Sequence, residues 1–473
     1  MDRSNLKNAE VAIVQSSSPQ EAILEGIKKL GGISEFISID DQVFILINLR
    51  LPNGFPVNTN FDIVGTLIEL CKEGGAKKIY VGGFPNKEIE TITLSNMLDL
   101  DQYFKSIGAE LAYLDDQDKF PLSSFEIGNK KFEIPEIILN SDKVISINQI
   151  SVDPLFKCTL SLLNSYSMVP KRFQAIQKVM RPGKDYLLFD QYKKDLVSNV
   201  LDVFCIKIPN LVINDLFYFL EGAGPYIYKD SEINKTKKVV IGSDAVAVDS
   251  ITLRLLHLDP AKNDLLFESK LRELGTTDFS KIKIIGKNLE DSSLNVKFCV
   301  YKLEDINLQN TTIKSGRFCS GCYAQAYHLL NLMKTHMTKD LKYIIKQNFL
   351  IGDKPQDPEN HKNIILFGNC AINSTKDRDF RRIIIEKQKD ILKGVKKKLK
   401  KDKKQAPKRK LKQKLNKEIL ELFGCPPETD YCVKSIIKYY GKSEVPNLNF
   451  YEQLTDTYLN NQKTQKKEDD LII

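Results

Sequence analysis

Apolar and polar positions alternate along this chain in a pattern that changes character twice. Val11–Val14 is a short apolar run. Pro19–Leu30 then places Ala22, Ile23, Ile27 and Leu30 on one helical face and stops at Gly31-Gly32. Val43–Leu49 is an apolar run interrupted only at Asn48, the signature of a strand buried on both faces. A helix over Phe61–Lys72 closes at Gly74-Gly75, and Lys78–Val81 is a further strand ending at Gly82-Gly83. Strand, helix and strand joined by short glycine turns make a parallel βαβ unit. The alternation continues with a helix over Asn96–Ile107, a strand over Leu111–Leu114, a hairpin over Phe125–Ile134 centred on Gly128-Asn129, and a strand over Lys143–Ile147.

Strands are expected again at Leu211–Asp215, Val239–Gly242 and Ile282–Ile285. Ser243 and Asp244 cap a helix that runs through His257 and stops before Pro260, and Leu265–Leu274 is another helix. From about residue 305 the pattern turns helical, with one clear strand at Asn363–Phe367. The expected architecture is therefore an α/β domain over 1–305, a mostly parallel sheet layered with helices. A smaller, mainly helical cysteine-bearing domain follows over 306–462, and residues 463–473 form a frayed polar tail. Within the second domain, 381–423 reads as a basic helical insertion split at Pro407.

Composition adds two facts. A chain of 473 residues with 42% hydrophobic and 28% charged residues is of ordinary globular type. No signal segment and no apolar stretch of about 20 residues is present, so a cytoplasmic protein without a membrane partner is expected. The formal charge of +9 is unevenly spread: Arg381–Lys417 alone carries 18 Lys/Arg against 3 Asp/Glu, and the net of +15 there leaves −6 on the rest. Nucleic-acid binding would have to rest on that tract, which has no aromatic residue for stacking on bases.

The nine cysteines carry the chemistry. Cys319-Ser-Gly-Cys322 sets two thiols on one side of a tight turn. Gly368-Asn-Cys370 follows a strand, and Gly424-Cys425-Pro-Pro fixes a third loop. In a reducing compartment such a set reads as metal ligands rather than disulfides. Its ligands span more than a hundred residues, unlike a compact zinc ribbon, and favour an iron–sulfur cluster, expected to be of the four-iron type, with zinc or buried thiols that hold no metal as the alternatives. Cys432 is a reserve ligand or a core thiol. Cys71, Cys158, Cys205 and Cys299 sit in apolar runs and read as core. His257, His328, His336 and His361 form no H-x-x-x-H pair.

Neither Gly82-Gly83 nor Gly222-Ala-Gly224-Pro225 is a nucleotide-binding fingerprint, and both read equally as steric turns. Ligands of open α/β sheets collect beyond the carboxyl ends of strands. Asn48 stands at such an end. Asp244 reads as a helix cap. Asp249 lies in an apolar helix and needs a partner, for which Arg254 is one option.

From about residue 10 to 300 the chain resembles the domain-of-unknown-function 362 family, a widespread prokaryotic group. The resemblance rests on Val43-Phe-Ile-Leu-Ile-Asn48-Leu49, Leu67-Ile-Glu-Leu-Cys-Lys-Glu-Gly-Gly-Ala-Lys77 and Ser141-Asp-Lys-Val-Ile145. Glu221-Gly-Ala-Gly-Pro225 and Gly242-Ser-Asp-Ala-Val-Ala-Val-Asp249 are its most specific stretches. The later cysteines resemble the iron–sulfur region of some members. Where the family shows a Lys-Thr-His step and a Lys-Asn pair, this chain reads Ser151-Val-Asp153 and Leu163-Asn164. The expectation is an iron–sulfur protein with ligands Cys319, Cys322, Cys370 and Cys425, serving redox or electron transfer, as in an iron–sulfur oxidoreductase. Its partner would be an unknown small molecule or a redox protein at a pocket holding Asn48, Asn164, Glu221, Asp244 and Asp249. The rival expectation is a metal-braced binding protein whose 381–417 tract contacts nucleic acid or an acidic partner.

Overall fold

The computed structural model describes residues 9–50, 55–85, 90–170, 191–338, 341–342, 346–401 and 418–440. The expected break at Pro407 and the tail after residue 462 lie outside them. The described residues divide into two compact units, one of 9–170 and 194–299, the other of 191–193 and 300–440.

Twelve strands belong to the first unit. They are β1 (Ala9–Gln15), β2 (Gln42–Leu46), β3 (Lys78–Gly82), β4 (Glu110–Leu111), β5 (Leu122–Ile127) and β6 (Lys130–Pro135). β7 (Lys143–Asp153), β8 (Lys157–Cys158), β9 (Leu211–Glu221), β10 (Glu232–Asn234), β11 (Lys238–Gly242) and β12 (Ile282–Gly286) complete the set. Ten of them form one sheet whose main path runs β12-β1-β11-β9-β7-β2-β3-β4, with β10 on β9 and β8 on β7. The sheet is mixed: along the path every pair is parallel except those β11 makes with β1 and β9. β5 and β6 pair as the expected separate hairpin, turning through Gly128.

The apolar run of β2 explains its place in the middle of this sheet. Val43, Ile45 and Ile47 enter a core built with the Pro19–Lys29 and Phe61–Glu73 helices. Phe44 and Leu46 enter a second core on the opposite face, with Phe120, Phe132 and Ile134. Burial on both faces leaves no polar position from Val43 to Ile47, and each such side chain contributes about 1.5–3 kcal/mol. The helices begin where side chains can take up free amides: Ser18 Oγ accepts from the Glu21 amide, and Asn60 Oδ1 from Asp62. One expected helix is two. Asp99, at φ 53°, separates Thr91–Leu98 from Leu100–Ser106.

The second unit departs from expectation. In place of one strand it has four, β13 (Thr311–Ser315), β14 (Gln347–Ile351), β15 (Ile364–Phe367) and β16 (Ile419–Leu422), in that order and all parallel. The helices Ser320–His336, Gly368–Ser374, Asp379–Lys401 and Thr429–Tyr440 accompany them. Leu350, Ile364, Leu366, Ile372, Phe380 and Ile384 form a core between sheet and helices. After the lysine-rich tract the chain returns as β16 beside β15. Arg381 fastens the return, pairing with Glu421 at 2.7 Å and donating to the Ile372 carbonyl at 3.1 Å. Among the described residues no helix is long and apolar enough to cross a membrane.

Candidate functional sites

Two places gather chemically capable side chains, one in each unit. The first is the carboxyl edge of the β13–β16 sheet. In a parallel sheet every strand delivers its following loop to the same edge. β13 leads to Cys319, which caps the Ser320–His336 helix, and Cys322 lies in that helix's first turn. β15 leads to Cys370 in the first turn of Gly368–Ser374. β16 leads to Cys425, three residues after Leu422. Two hydrogen bonds clamp the Cys370 and Cys425 loops: the Asn369 amide donates to the Gly424 carbonyl at 3.0 Å, and the Gly424 amide to Asn369 Oδ1 at 3.1 Å.

These loops bring the thiols close enough to act on one another's ionisation. Cys319 is lowered to about 6, chiefly by the thiol of Cys322 and further by the amides of Cys322 and Gly321. Such amides at a helix start stabilise thiolates. Cys322 is raised well above a free thiol by its bond to Cys319, then by burial and by Cys319, Cys425 and Cys370. Burial pushes Cys370 to about 11, aided by Cys425, Cys319 and Asp353, and burial also raises Cys425, with Cys319 contributing. Gly368, at φ +86°, lies against the cluster of thiols: a Cβ there would stand 3.5 Å from Cys322 Sγ. Tyr192, which the sequence pattern did not single out, covers Gly321, and a Cβ on that glycine would collide with its ring. Cys432 is fully buried, its thiol raised to about 12 by burial, Asp430 and Glu428. Among the described residues no group of three or more His, Cys, Asp or Glu side chains is placed to hold a metal ion.

The second place is a polar layer through the middle of the large sheet. Three central strands lose their apolar character at one level: β2 just past its end at Asn48, β7 at Asn148-Gln149, and β9 at Asn214-Asp215. The register pairs Asn148 with Asn214 and Gln149 with Asp215. Since neighbouring residues point to opposite faces, the layer has two sides.

On one side a continuous chain of buried hydrogen bonds joins three of the expected pocket residues. Asn48 Nδ2 donates to Asn164 Oδ1, and Asn164 Nδ2 to Ser146 Oγ at 3.1 Å. Ser146 Oγ donates to Asn148 Oδ1 at 2.8 Å, and Asn148 Nδ2 to Asn214 Oδ1 at 3.1 Å. Asn214 Nδ2 reaches Asp249 Oδ1 at 2.8 Å. The Asp249 carboxylate also accepts from the Ser161 amide at 2.9 Å and the Leu162 amide at 3.1 Å. These donors, not Arg254, partner Asp249; the Arg254 guanidinium stacks on the Phe279 ring at 4.9 Å. Burial raises Asp249 to about 6 against the lowering by Asn214 and the two amides.

The other two expected pocket residues lie elsewhere. Asp244 is a helix cap, its Oδ1 accepting from the Val246 and Ala247 amides and its Oδ2 from Thr276 at 3.0 Å. Glu221 accepts from the Lys297 amide at 3.3 Å and pairs through its backbone with β10. The glycine turns are close approaches of backbone to backbone. A Cβ on Gly83 would collide with the Ile47 carbonyl oxygen, and one on Gly224 with that of Val152. Gly83→Ala is therefore expected to cost about 1–3 kcal/mol by overpacking, read as a lower urea midpoint with an unchanged m-value.

On the opposite side of the layer, Gln149 Nε2 donates to the Tyr218 carbonyl at 3.0 Å, and Asp215 Oδ1 accepts from the Phe217 amide at 2.7 Å. Burial drives the Asp215 carboxyl up to about 7 against the Phe217 amide and the Asn60 side chain. Asn148, Gln149, Asn214 and Asp215 were not among the expected site residues. Their signal is the repeated form of a largely apolar run ended by Asn, in Val43–Asn48, Leu211–Asn214 and, with Ser146 inside it, Val144–Asn148.

Residues 43–254 match the family model described as "Domain of unknown function (DUF362)". The matched segment is similar to that family. It runs from β2 to the Ala245–Leu255 helix and contains every residue of the polar layer named above. No curated protein matches the chain. Among solved structures, the lactate racemase apoprotein from Thermoanaerobacterium thermosaccharolyticum aligns at 8% identity and a TM-score of 0.32, over 47% of this chain and 53% of that one. A structural-genomics protein from Thermotoga maritima aligns at 9% identity and a TM-score of 0.26, over 49% and 57%. The chain thus spans a little over half the length of these two structures.

Proposed function

We propose that the protein binds an iron–sulfur cluster of the four-iron type through Cys319, Cys322, Cys370 and Cys425 and serves a redox role, passing electrons to or from an unknown small molecule or partner protein. The observation that carries this reading is the meeting of four thiols, from three strand-end loops, on one edge of a parallel sheet. The donor set fits such a group. It is all sulfur, the soft ligand that iron–sulfur clusters take. Gly368, beside Cys322 Sγ, takes the left-handed φ of +86° that the turn into the Cys370 loop requires. A bound cluster would supply a one-electron couple. The chain's own part is to hold the four sulfurs: the Asn369–Gly424 clamp fixes two loops, and the helix-start amides stabilise thiolate at Cys319.

Anaerobically purified protein is expected to contain iron and acid-labile sulfide in near-equal amounts, with a broad visible charge-transfer band. Protein holding zinc alone, or no metal, would sink the reading.

A further inference from the structure

The β7–β9 ladder breaks beside the polar layer. Gln149 pairs with Asp215, but Ser151 pairs with Leu220, so β9 spends five residues where β7 spends two. Breaks of this kind re-aim side chains and recur beside functional sites. Here the break leaves two oxygens without hydrogen-bond partners, Gln149 Oε1 and Asp215 Oδ2, on side chains 1% and 0% exposed. A buried acceptor without a donor is costly, and a folded protein seldom leaves two such neighbours unused. They belong to register partners on adjacent parallel strands, so they lie side by side on one face.

We propose that Gln149 and Asp215 form a binding site for the protonated amine of a small molecule. With Asp215 ionised, both free atoms are acceptors, one a neutral amide oxygen and one a carboxylate oxygen, so the complementary group is a multiple donor with positive charge. An alkylammonium ion supplies up to three N–H donors. Two oxygens fall well short of the six or more that magnesium or calcium takes. The looped-out segment also carries an aromatic surface suited to cations: Lys235 Nζ stands 5.3 Å from the Tyr218 ring centroid and 5.9 Å from that of Phe217, and Phe55 meets Tyr218 edge-on. This site does not depend on the cluster, and metal analysis cannot decide it.

The test titrates methylammonium and, at matched ionic strength, tetramethylammonium into the full chain, following the thermal midpoint and the heat of binding. Methylammonium is expected to raise the midpoint saturably, and tetramethylammonium, with no N–H donor, to leave it unchanged. Asp215→Asn keeps the shape and the acceptor for Phe217 but removes the charge, and should weaken the methylammonium response about tenfold or more. In the unaltered protein the response should strengthen as pH rises through about 7, where Asp215 ionises, which gives a second readout if the variant folds poorly. Equal responses to the two ions, or a response that is indifferent to both Asp215→Asn and pH, would overturn the proposal and leave ordered water as the partner of the two oxygens.

Discussion

Cys322→Ser is expected to strip the visible charge-transfer band from anaerobically purified protein and to lower its iron and sulfide content several-fold. Cys432→Ser should leave both unchanged. Of the four proposed ligands, Cys322 is the one whose thiol responds to all three others, and it is buried at 4% exposure. Serine nearly reproduces the shape of cysteine, so the Ser320–His336 helix and its Thr429–Gln325 tie, 2.7 Å long, should survive the change. What is lost is a soft, readily ionised ligand at the centre of the set. Cys432 has the same chemistry but a different setting, raised by burial and by Asp430 and Glu428. Far-ultraviolet circular dichroism separates ligand loss from unfolding. Retention of full iron by Cys322→Ser, or equal losses from the two variants, would remove Cys322 from the ligand set.

The sequence reveals most where a segment's environment is uniform along its length. β2 is buried on both faces, so its unbroken apolar run marks both strand and position. β15, in the middle of the small sheet, stands out for the same reason. β13 and β16 lie at that sheet's edges and are half-exposed, reading Thr-Thr-Ile-Lys-Ser and Ile-Leu-Glu-Leu. Edge strands of this kind lack the contrast that a local pattern needs. β16 also follows directly on the lysine tract, where composition suggests more helix. The thiols were legible because glycine and proline turns mark their loops, whereas the sheet that gathers those loops was not.

The polar layer was only partly legible for a different reason. Asn48, Asn164 and Asp249 stood out singly, but their joining depends on register between strands about 65 residues apart. The donors to Asp249 come from Ser161, Leu162 and Asn214, none near it in sequence. A search along its own helix offers Arg254 instead. Gln149 and Asp215 acquire meaning only at the break in the β7–β9 ladder, a feature with no local signature.

Asp249→Ala should be the most destabilising single change in the polar layer, and Asp215→Asn should act in the opposite direction. At 0% exposure the Asp249 carboxylate satisfies two backbone amides and the Asn214 side chain. Alanine leaves all three donors buried without an acceptor, at about 1–3 kcal/mol each. The sum is comparable to the whole stability of a typical domain, about 5–15 kcal/mol, so soluble Asp249→Ala protein should be scarce or melt far below the unaltered chain. Asp215 accepts from the Phe217 amide and is aided by the Asn60 side chain, while its Oδ2 has no hydrogen-bond partner, so an uncharged isostere there relieves more than it removes. The pH dependence separates the two. Both carboxyls have folded pKa values raised above 3.8, to about 6 for Asp249 and about 7 for Asp215. An acid raised on folding favours the folded state below its unfolded pKa and loses that contribution as pH climbs through the folded value. Stability from these groups should therefore fall between about pH 4 and pH 7, by on the order of 3 kcal/mol or more per group at one pKa unit per 1.4 kcal/mol. Asp215→Asn should flatten the upper part of that decline and be more stable than the unaltered protein at about pH 8. Urea denaturation at several pH values measures both effects, and an Asp249→Ala chain as stable as the original would show that the buried amides find other partners.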